Sequence, residues 1–377
     1  MTRILQIAPE IAPGSGVGGV AHHLELEWRA LGIETDRFTM HEARGDWLPP
    51  DGPGIRGRLT VLARVVWFSS VGTFLARRHI ARQAGWIAVC HNDVLAGDVY
   101  VNHGNLRAAM HARGHYAWRM VRNPLHLFTA ARDAVRYRSR THQVVVNLTE
   151  NEQTMLRATY PRLRPRTVVI GNGVDIHRFQ PATPAERTEA RAMISPDGPL
   201  PADAKCVLFV GHEFDRKGLH LAIAAIAGGP SPVHLLVVGG TPGMVAGARA
   251  SARSHGVGDR VHFTGRLEDP LLAFHATDAL TLPSAYEANA LVVLEALACG
   301  LPVLATPVRY APDVIVDGQN GYLVDRTAGA LRLALATFVD ADPDALSRAA
   351  RASAVPHSWD RVALRYLALV DEAGLER

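Results

Sequence analysis

The strongest constraint on this chain is a repeated alternation of short apolar strands with helix-like segments. Residues 4–8 read as a buried strand followed by a Gly-rich loop, and residues 20–31 have helical spacing with Leu24, Trp28 and Leu31 on one face. Further strands are expected at 86–90, 99–101, 143–146 and 167–170. A second alternation opens with a strand at 206–210, then helix 219–227, strand 234–238 and helix 244–254. It continues with strand 261–263, helix 270–277, strand 279–282, helix 290–299 and strand 302–305. Strands apolar on both faces, each followed by a helix, need cover on both sides, which is the pattern of parallel sheets in α/β proteins. Two such blocks within 377 residues predict two Rossmann-like domains. Residues 180–204 lack β pattern and are expected to join them, and 359–369 reads as a final amphipathic helix.

Charge separates the halves. Residues 1–178 hold 23 arginines, no lysine and 14 acids, a net +9, and the remainder carries −5. A basic half suits an anionic partner such as a lipid head group or a phosphorylated acceptor; a solvated surface would look the same. Cys90, Cys206 and Cys299 are widely spaced and sit in apolar contexts, as reduced core cysteines do, and no His/Cys group has metal-ligand spacing. The N-terminus lacks the pattern of a signal peptide. No apolar run reaches the ~20 residues that span a bilayer. A cytoplasmic protein is expected.

Several segments carry candidate chemistry. Gly14, Gly16 and Gly19 formally spell GxGxxG, with Asp36 as the acid that would bind a nicotinamide ribose. The prolines at 9 and 13 make the loop long for that turn, so Gly18 and Gly19 more readily open a helix whose amides face a phosphate. The loop Gly211-His212-Glu213-Phe214-Asp215-Arg216-Lys217-Gly218 follows a strand. Lys217 is one of only two lysines, against 38 arginines, and a compact ammonium there suits a diphosphate. Glu287 precedes a helix and Glu295 lies inside its apolar run, where a carboxylate needs polar partners such as ribose hydroxyls. The amides of 289–292 would face phosphates through the helix N-terminus. His91 and His103 each follow a strand and would face the ligand crevice of a parallel sheet.

On these residues the chain resembles retaining glycosyltransferase family 4, whose fold is GT-B, two Rossmann-like domains with parallel sheets facing a central cleft. The family's paired glutamates, with seven residues between them, match Glu287 and Glu295. The pattern that follows matches Leu294-Glu295-Ala296-Leu297-Ala298-Cys299-Gly300-Leu301-Pro302-Val303. The hinge signature matches Asn172-Gly173-Val174-Asp175 and Phe179, the Arg-Lys-Gly loop matches Arg216-Lys217-Gly218, and the C-terminal Trp-Asp matches Trp359-Asp360. The resemblance implies an acceptor-side domain of residues 1–166 plus a crossing helix in 357–377, and a nucleotide-sugar domain of 167–356. It implies transfer of a hexose from a UDP- or GDP-sugar to a glycan, glycolipid or other hydroxyl, without cofactor or metal. Within that reading Glu295 binds the ribose. Glu287, with Ala288, Asn289, Ala290 and Leu291, contacts the sugar and phosphates. His212, Arg216 and Lys217 hold the diphosphate, Gly18 and Gly19 approach it, Arg266 and Leu267 flank the base, and His103 touches the sugar near the reaction centre. His103, Glu287 and Lys217 are the candidate catalytic residues.

The sequence departs from the family in three places. Glu287-Ala288-Asn289-Ala290 replaces Glu-Gly-Phe-Gly, His212 stands where an arginine is common, and the 211–217 loop is one residue shorter than in some members. These features resemble the lipopolysaccharide-core branch. On the acceptor side, residues 105–142 combine Arg107, Arg113, Arg119, Arg122, Arg132, Arg136, Arg138 and Arg140 with Tyr116, Trp118, Leu125, Leu127 and Phe128, against the single acid Asp133. That mixture suggests peripheral contact with the inner face of an anionic membrane, and no nucleic-acid-binding motif accompanies it. A nucleotide-sugar epimerase, a catalytically silent nucleotide-sugar-binding protein and, more distantly, a nicotinamide oxidoreductase are the alternatives.

Overall fold

The computed structural model describes residues 2–375 apart from 15, 51, 53, 113, 230–232, 288–290 and 309. Its strands are β1 (Arg3–Ile7), β2 (Glu34–Phe38), β3 (Trp86–Cys90), β4 (Val99–Asn102), β5 (Val144–Asn147) and β6 (Arg166–Val169), then β7 (Lys205–Val210), β8 (Val233–Val238), β9 (Val261–Gly265), β10 (Ala279–Leu282), β11 (Val303–Ala305) and β12 (Gly321–Leu323). They form two six-stranded sheets, β2-β1-β3-β4-β5-β6 and β12-β11-β10-β7-β8-β9. Every pairing in both is parallel. The strand order reverses between β1 and β3 in the first sheet and between β7 and β10 in the second. At such switch points neighbouring crossovers leave on opposite faces, and a crevice opens at the carboxyl ends of the strands.

Two compact units hold these sheets: residues 1–172 with 359–377, and residues 173–358. The boundaries lie a few residues beyond 166 and 356 because β6 pairs with β5 as the outer strand of the first sheet. The final helix, Trp359–Glu372, packs in the first unit: Trp28 donates its indole N–H to the Ala363 carbonyl at 3.2 Å, and His23 stacks on Trp359 at 5.1 Å. Residues 180–204 are not a bare linker. Helix Pro184–Met193 starts with a capping box between Thr183 and Glu186, and its Arg187 and Arg191 pair with Asp278 at 2.6 and 2.8 Å. It packs Ala190 into the core of the second unit.

Two strands are absent from the sequence reading. The edge strand β2 reads Glu-Thr-Asp-Arg-Phe, mostly polar and only half-buried, and β12 has three residues. A continuous helix from Arg56 to Arg82 is, by length and composition, apolar enough to cross a bilayer, contrary to the expectation that no such segment exists. A π-turn at Phe68–Gly72 keeps it unbroken, and Phe68, Ser69, Gly72 and Ala76 are buried. The basic segment 105–142 also differs from expectation. Arg132 pairs with Asp93 and Asp133, and Arg136 pairs with Asp133 while lying 3.9 Å over the Tyr100 ring. These two arginines and the segment's one acid are therefore internal, and Arg113 lies outside the described residues. Trp118, Val121 and Leu127 remain exposed beside Arg119 and Arg122.

Candidate functional site

In the second unit, the loops after β7 and β10 flank the switch point, and they carry the charged candidates. The β7 loop closes as a short helical turn, Phe214–Lys217, ended by Gly218 at φ +81°. A side chain at Gly218 would collide with the Pro283 carbonyl, so only glycine lets the two loops approach this closely. The Ala285 amide donates to the Arg216 carbonyl at 2.9 Å, and the Arg216 guanidinium donates to the Tyr286 carbonyl. Lys217 lays its aliphatic stem across Gly211.

This seam buries Glu287 to 5% exposure and brings three donors to one of its oxygens. Ser284 Oγ donates to Oε1 at 2.8 Å, while Arg216 Nη1 and Lys217 Nζ each lie 3.2 Å from it. Oε2 has no hydrogen-bond partner among the described residues. Arg216 also pairs with Glu213 at 2.8 Å. The first glutamate of the pair is thus the counter-charge that holds the two expected phosphate-binding cations, a role the sequence reading did not give it. Glu287 and the exposed Glu213 together match the charge of the two cations, so the seam offers an anion two directed, charge-assisted donors rather than net charge.

Glu295 lies in helix Leu291–Ala298. Its carboxyl is largely enclosed by protein, although the residue keeps some surface open to solvent. Burial raises its pKa to about 7, a rise that Arg178 and Lys217 oppose and Asp269 reinforces. Its carboxyl has no hydrogen bond or ion pair to a described residue, so it is a buried acid awaiting a polar partner. Arg178, paired with Asp269 at 2.8 Å, acts on it at longer range from the hinge signature. Asp175 Oδ1 accepts from the amides of His177 and Arg178 at 3.0 and 2.9 Å, and Phe179 anchors the turn edge-to-face on Phe274. Arg351 locks that turn by donating to the carbonyls of Ile176, Phe179 and Ala298.

The remaining candidates of this unit are less constrained. His212 is exposed at the start of the β7 loop, Arg266 is exposed after β9, and Leu267 packs against the core. Leu291 opens its helix half-buried, and Ala288, Asn289 and Ala290 lie outside the described residues. Ser284, Arg178 and Asp269 were missed by the sequence reading; a serine three residues before Glu287 was the only local signal.

In the first unit, Gly18 and Gly19 fall in the first turn of helix Val17–Ala30, which starts three residues earlier than expected. A Cβ on Gly19 would overlap the Gly14 carbonyl, so glycine here lets the preceding loop fold over the helix end. Asp36 is engaged by Gln83 at 2.6 Å and His79 at 3.4 Å. Burial alone would raise its pKa, but Gln83, the Arg37 amide and His79 bring it below the usual value. It is not the free carboxylate that a nicotinamide ribose needs, and that alternative loses its acid.

His91 and His103 follow β3 and β4, and the structure brings them together: His91 Nδ1 and His103 Nε2 are 3.4 Å apart. Burial lowers the His103 pKa to about 4. His91 is held well below its usual value, first by burial and then by His103. Both are neutral imidazoles near pH 7.

Residues 191–353 match the family described as glycosyl transferases group 1. The match falls within the second unit. Arg216, Lys217, Glu287 and Glu295 all lie inside the matched residues. A D-inositol 3-phosphate glycosyltransferase of Mycolicibacterium smegmatis is 34% identical over 224 residues, covering 58% of this chain and 50% of the relative. The chain thus matches about half the length of that curated relative. WaaG, a glycosyltransferase involved in lipopolysaccharide biosynthesis, superposes with a TM-score of 0.74 over 97% of this chain and 99% of its own, at 20% identity. HepE of Anabaena, solved with UDP and glucose, gives 0.66 over 99% and 100%, also at 20% identity. These structures share the GT-B fold with this chain, and the residues that match the group 1 family supply one of its two sheets.

Proposed function

We propose that the chain is a retaining glycosyltransferase of family 4 that moves a hexose from a nucleoside diphosphate sugar to a hydroxyl of a glycan or glycolipid. The observation that carries this reading is the convergence of Arg216, Lys217 and Glu287 at the switch point of a group 1 domain. In the proposed complex the two cations face the diphosphate and compensate the charge that develops on the leaving group, without a metal. Glu295 accepts from the ribose hydroxyls, and the backbone near Gly265, Arg266 and Leu267 receives the base. His103 meets the transferred sugar, and attack of the acceptor from the leaving-group face retains configuration. UDP is the favoured nucleotide because HepE, of the same fold, was solved with it. An anionic acceptor fits the basic first unit, in keeping with relatives named for D-inositol 3-phosphate. The place of such a reaction is cell-envelope or secondary-metabolite biosynthesis.

A thermal-shift panel of UDP-, GDP- and ADP-sugars identifies the donor. Product analysis then distinguishes transfer from epimerisation, and the anomeric configuration tests retention. EDTA is expected to leave the rate within about twofold, because the charge compensation assigned to a metal elsewhere is here assigned to Arg216 and Lys217. Lys217→Ala and Glu295→Ala should each weaken donor binding. Unchanged affinity in both variants would sink the site as drawn.

The exposed Trp118, Val121 and Leu127 beside Arg119 and Arg122 support peripheral contact with an anionic membrane on the inner face of the cell. Sedimentation with anionic vesicles at low salt tests this. Trp118→Ala with Arg122→Glu should abolish co-sedimentation, and a wild-type protein that stays in the supernatant removes the idea.

A further inference from the structure

Three polar side chains of the first unit form one hydrogen-bonded line. Gln6, near the end of β1, is fully buried, and its Nε2 donates to the Ala21 carbonyl at 2.8 Å. Only the nitrogen end of an amide can face a carbonyl, so the oxygen end faces His91, whose Nε2 lies 2.8 Å from Oε1. An amide oxygen accepts and does not donate. His91 therefore carries its proton on Nε2, and its bare Nδ1 points at Nε2 of His103, 3.4 Å away. That contact is a hydrogen bond only when His103 in turn carries its proton on Nε2.

The line ends on the other nitrogen of His103. Nδ1 has no hydrogen-bond partner among the described residues, and His103 keeps part of its surface open. We propose that Gln6 and His91 are positioning residues that fix the tautomer of His103, so that it presents a proton-accepting Nδ1, and no N–H, to a hydroxyl of the bound sugar. A hydroxyl can donate to that nitrogen; a phosphate or carbonyl oxygen finds no donor there. His91 has 0% exposure, and burial resists the second proton that would reverse the line. The identity of the hydroxyl-bearing substrate rests on the proposed glycosyl transfer, whereas the tautomer itself does not.

Long-range 1H–15N spectra of the full chain with 15N-labelled histidine read the tautomers directly, with no substrate present. Wild-type His91 and His103 are expected to be neutral and protonated on Nε2 between pH 6 and 8, since the His103 pKa is about 4. Gln6→Leu should convert His103 to a mixture of tautomers and lower kcat severalfold, in proportion to the share of the Nε2-protonated form that is lost, with donor KM nearly unchanged. If Gln6→Leu does not fold, His91→Phe keeps the ring and severs both bonds, with the same expected kinetics. Wild-type His103 protonated on Nδ1 overturns the proposal. So does a Gln6→Leu or His91→Phe protein with wild-type kcat. A wild-type protein that transfers no sugar defeats the proposed function instead, and the spectra still decide the tautomer.

Discussion

At the switch point of the second sheet, two cations each lie 3.2 Å from one carboxylate oxygen, whereas at that of the first sheet two imidazoles are kept neutral by burial. Both arrangements sit at the carboxyl ends of parallel strands, yet one concentrates charge and the other excludes it. A nucleoside diphosphate needs the first environment, because its leaving group gains charge as the glycosidic bond breaks. A sugar hydroxyl can use the second, because a neutral imidazole nitrogen accepts from it without adding charge. The difference teaches that two switch points alike in topology suit ligands of different charge.

The largest test of that difference is Lys217→Ala. Removing the compact ammonium should lower kcat/KM by roughly 100- to 1,000-fold, as loss of one group aimed at developing negative charge does. Lys217→Arg should recover only part of that, since a planar fork replaces a point charge. Initial rates with the donor found by thermal shift measure it. A loss under about threefold would place the diphosphate elsewhere.

Glu287→Gln sharpens the comparison with a smaller effect. If Glu287 serves to hold Arg216 and Lys217, its loss frees net positive charge toward the donor. Donor affinity should then stay level or tighten, while kcat falls about tenfold because the cations lose their fixed geometry. Calorimetric titration beside initial rates separates the two. A large loss of affinity with kcat unchanged would return Glu287 to a role in sugar binding alone.

How much of this was legible in the sequence depends on distance along the chain. Strands β3 and β10 were readable to the residue because they are continuous apolar runs between loops. Strand β2 was not, because an edge strand with polar faces has the composition of a loop. Glu287, Glu295 and Lys217 stood out as charges against apolar or Arg-rich surroundings. The pairing of Lys217 with Glu287 did not, since it comes from two loops meeting at the switch point. Gln6 and His91 lie 85 residues apart, and nothing local joins them before β1 and β3 pair. The arginines of 105–142 were read as one surface because composition does not say which face of a helix is buried.

A finer test concerns Glu295 as donor ligand. With a pKa near 7, its carboxyl is largely protonated at pH 6 and ionised at pH 8. Two ribose hydroxyls donate to the ionised form, so donor affinity should weaken as pH falls below about 7, by up to about tenfold per unit. In Glu295→Gln the affinity should be lower at pH 8 and nearly flat with pH. A wild-type affinity that is flat from pH 6 to 8 would break the assignment.

The smallest effect is on stability without donor. Glu295 has its pKa raised from 4.5 to about 7 in the folded protein, so between those values the folded state holds a proton that the unfolded chain has released. Stability from this group is therefore greatest below pH 4.5, falls through the window, and stays lower above 7. Glu295→Gln removes that fall. Its Tm should exceed that of the wild type by a few degrees at pH 8 and converge with it toward pH 4.5. Saturating donor should reverse the order at pH 8, because the wild-type carboxylate then gains the partners it lacks. If the two proteins melt together at pH 8 with and without donor, Glu295 is an ordinary solvated acid. The second unit would then hold its donor by the cations alone.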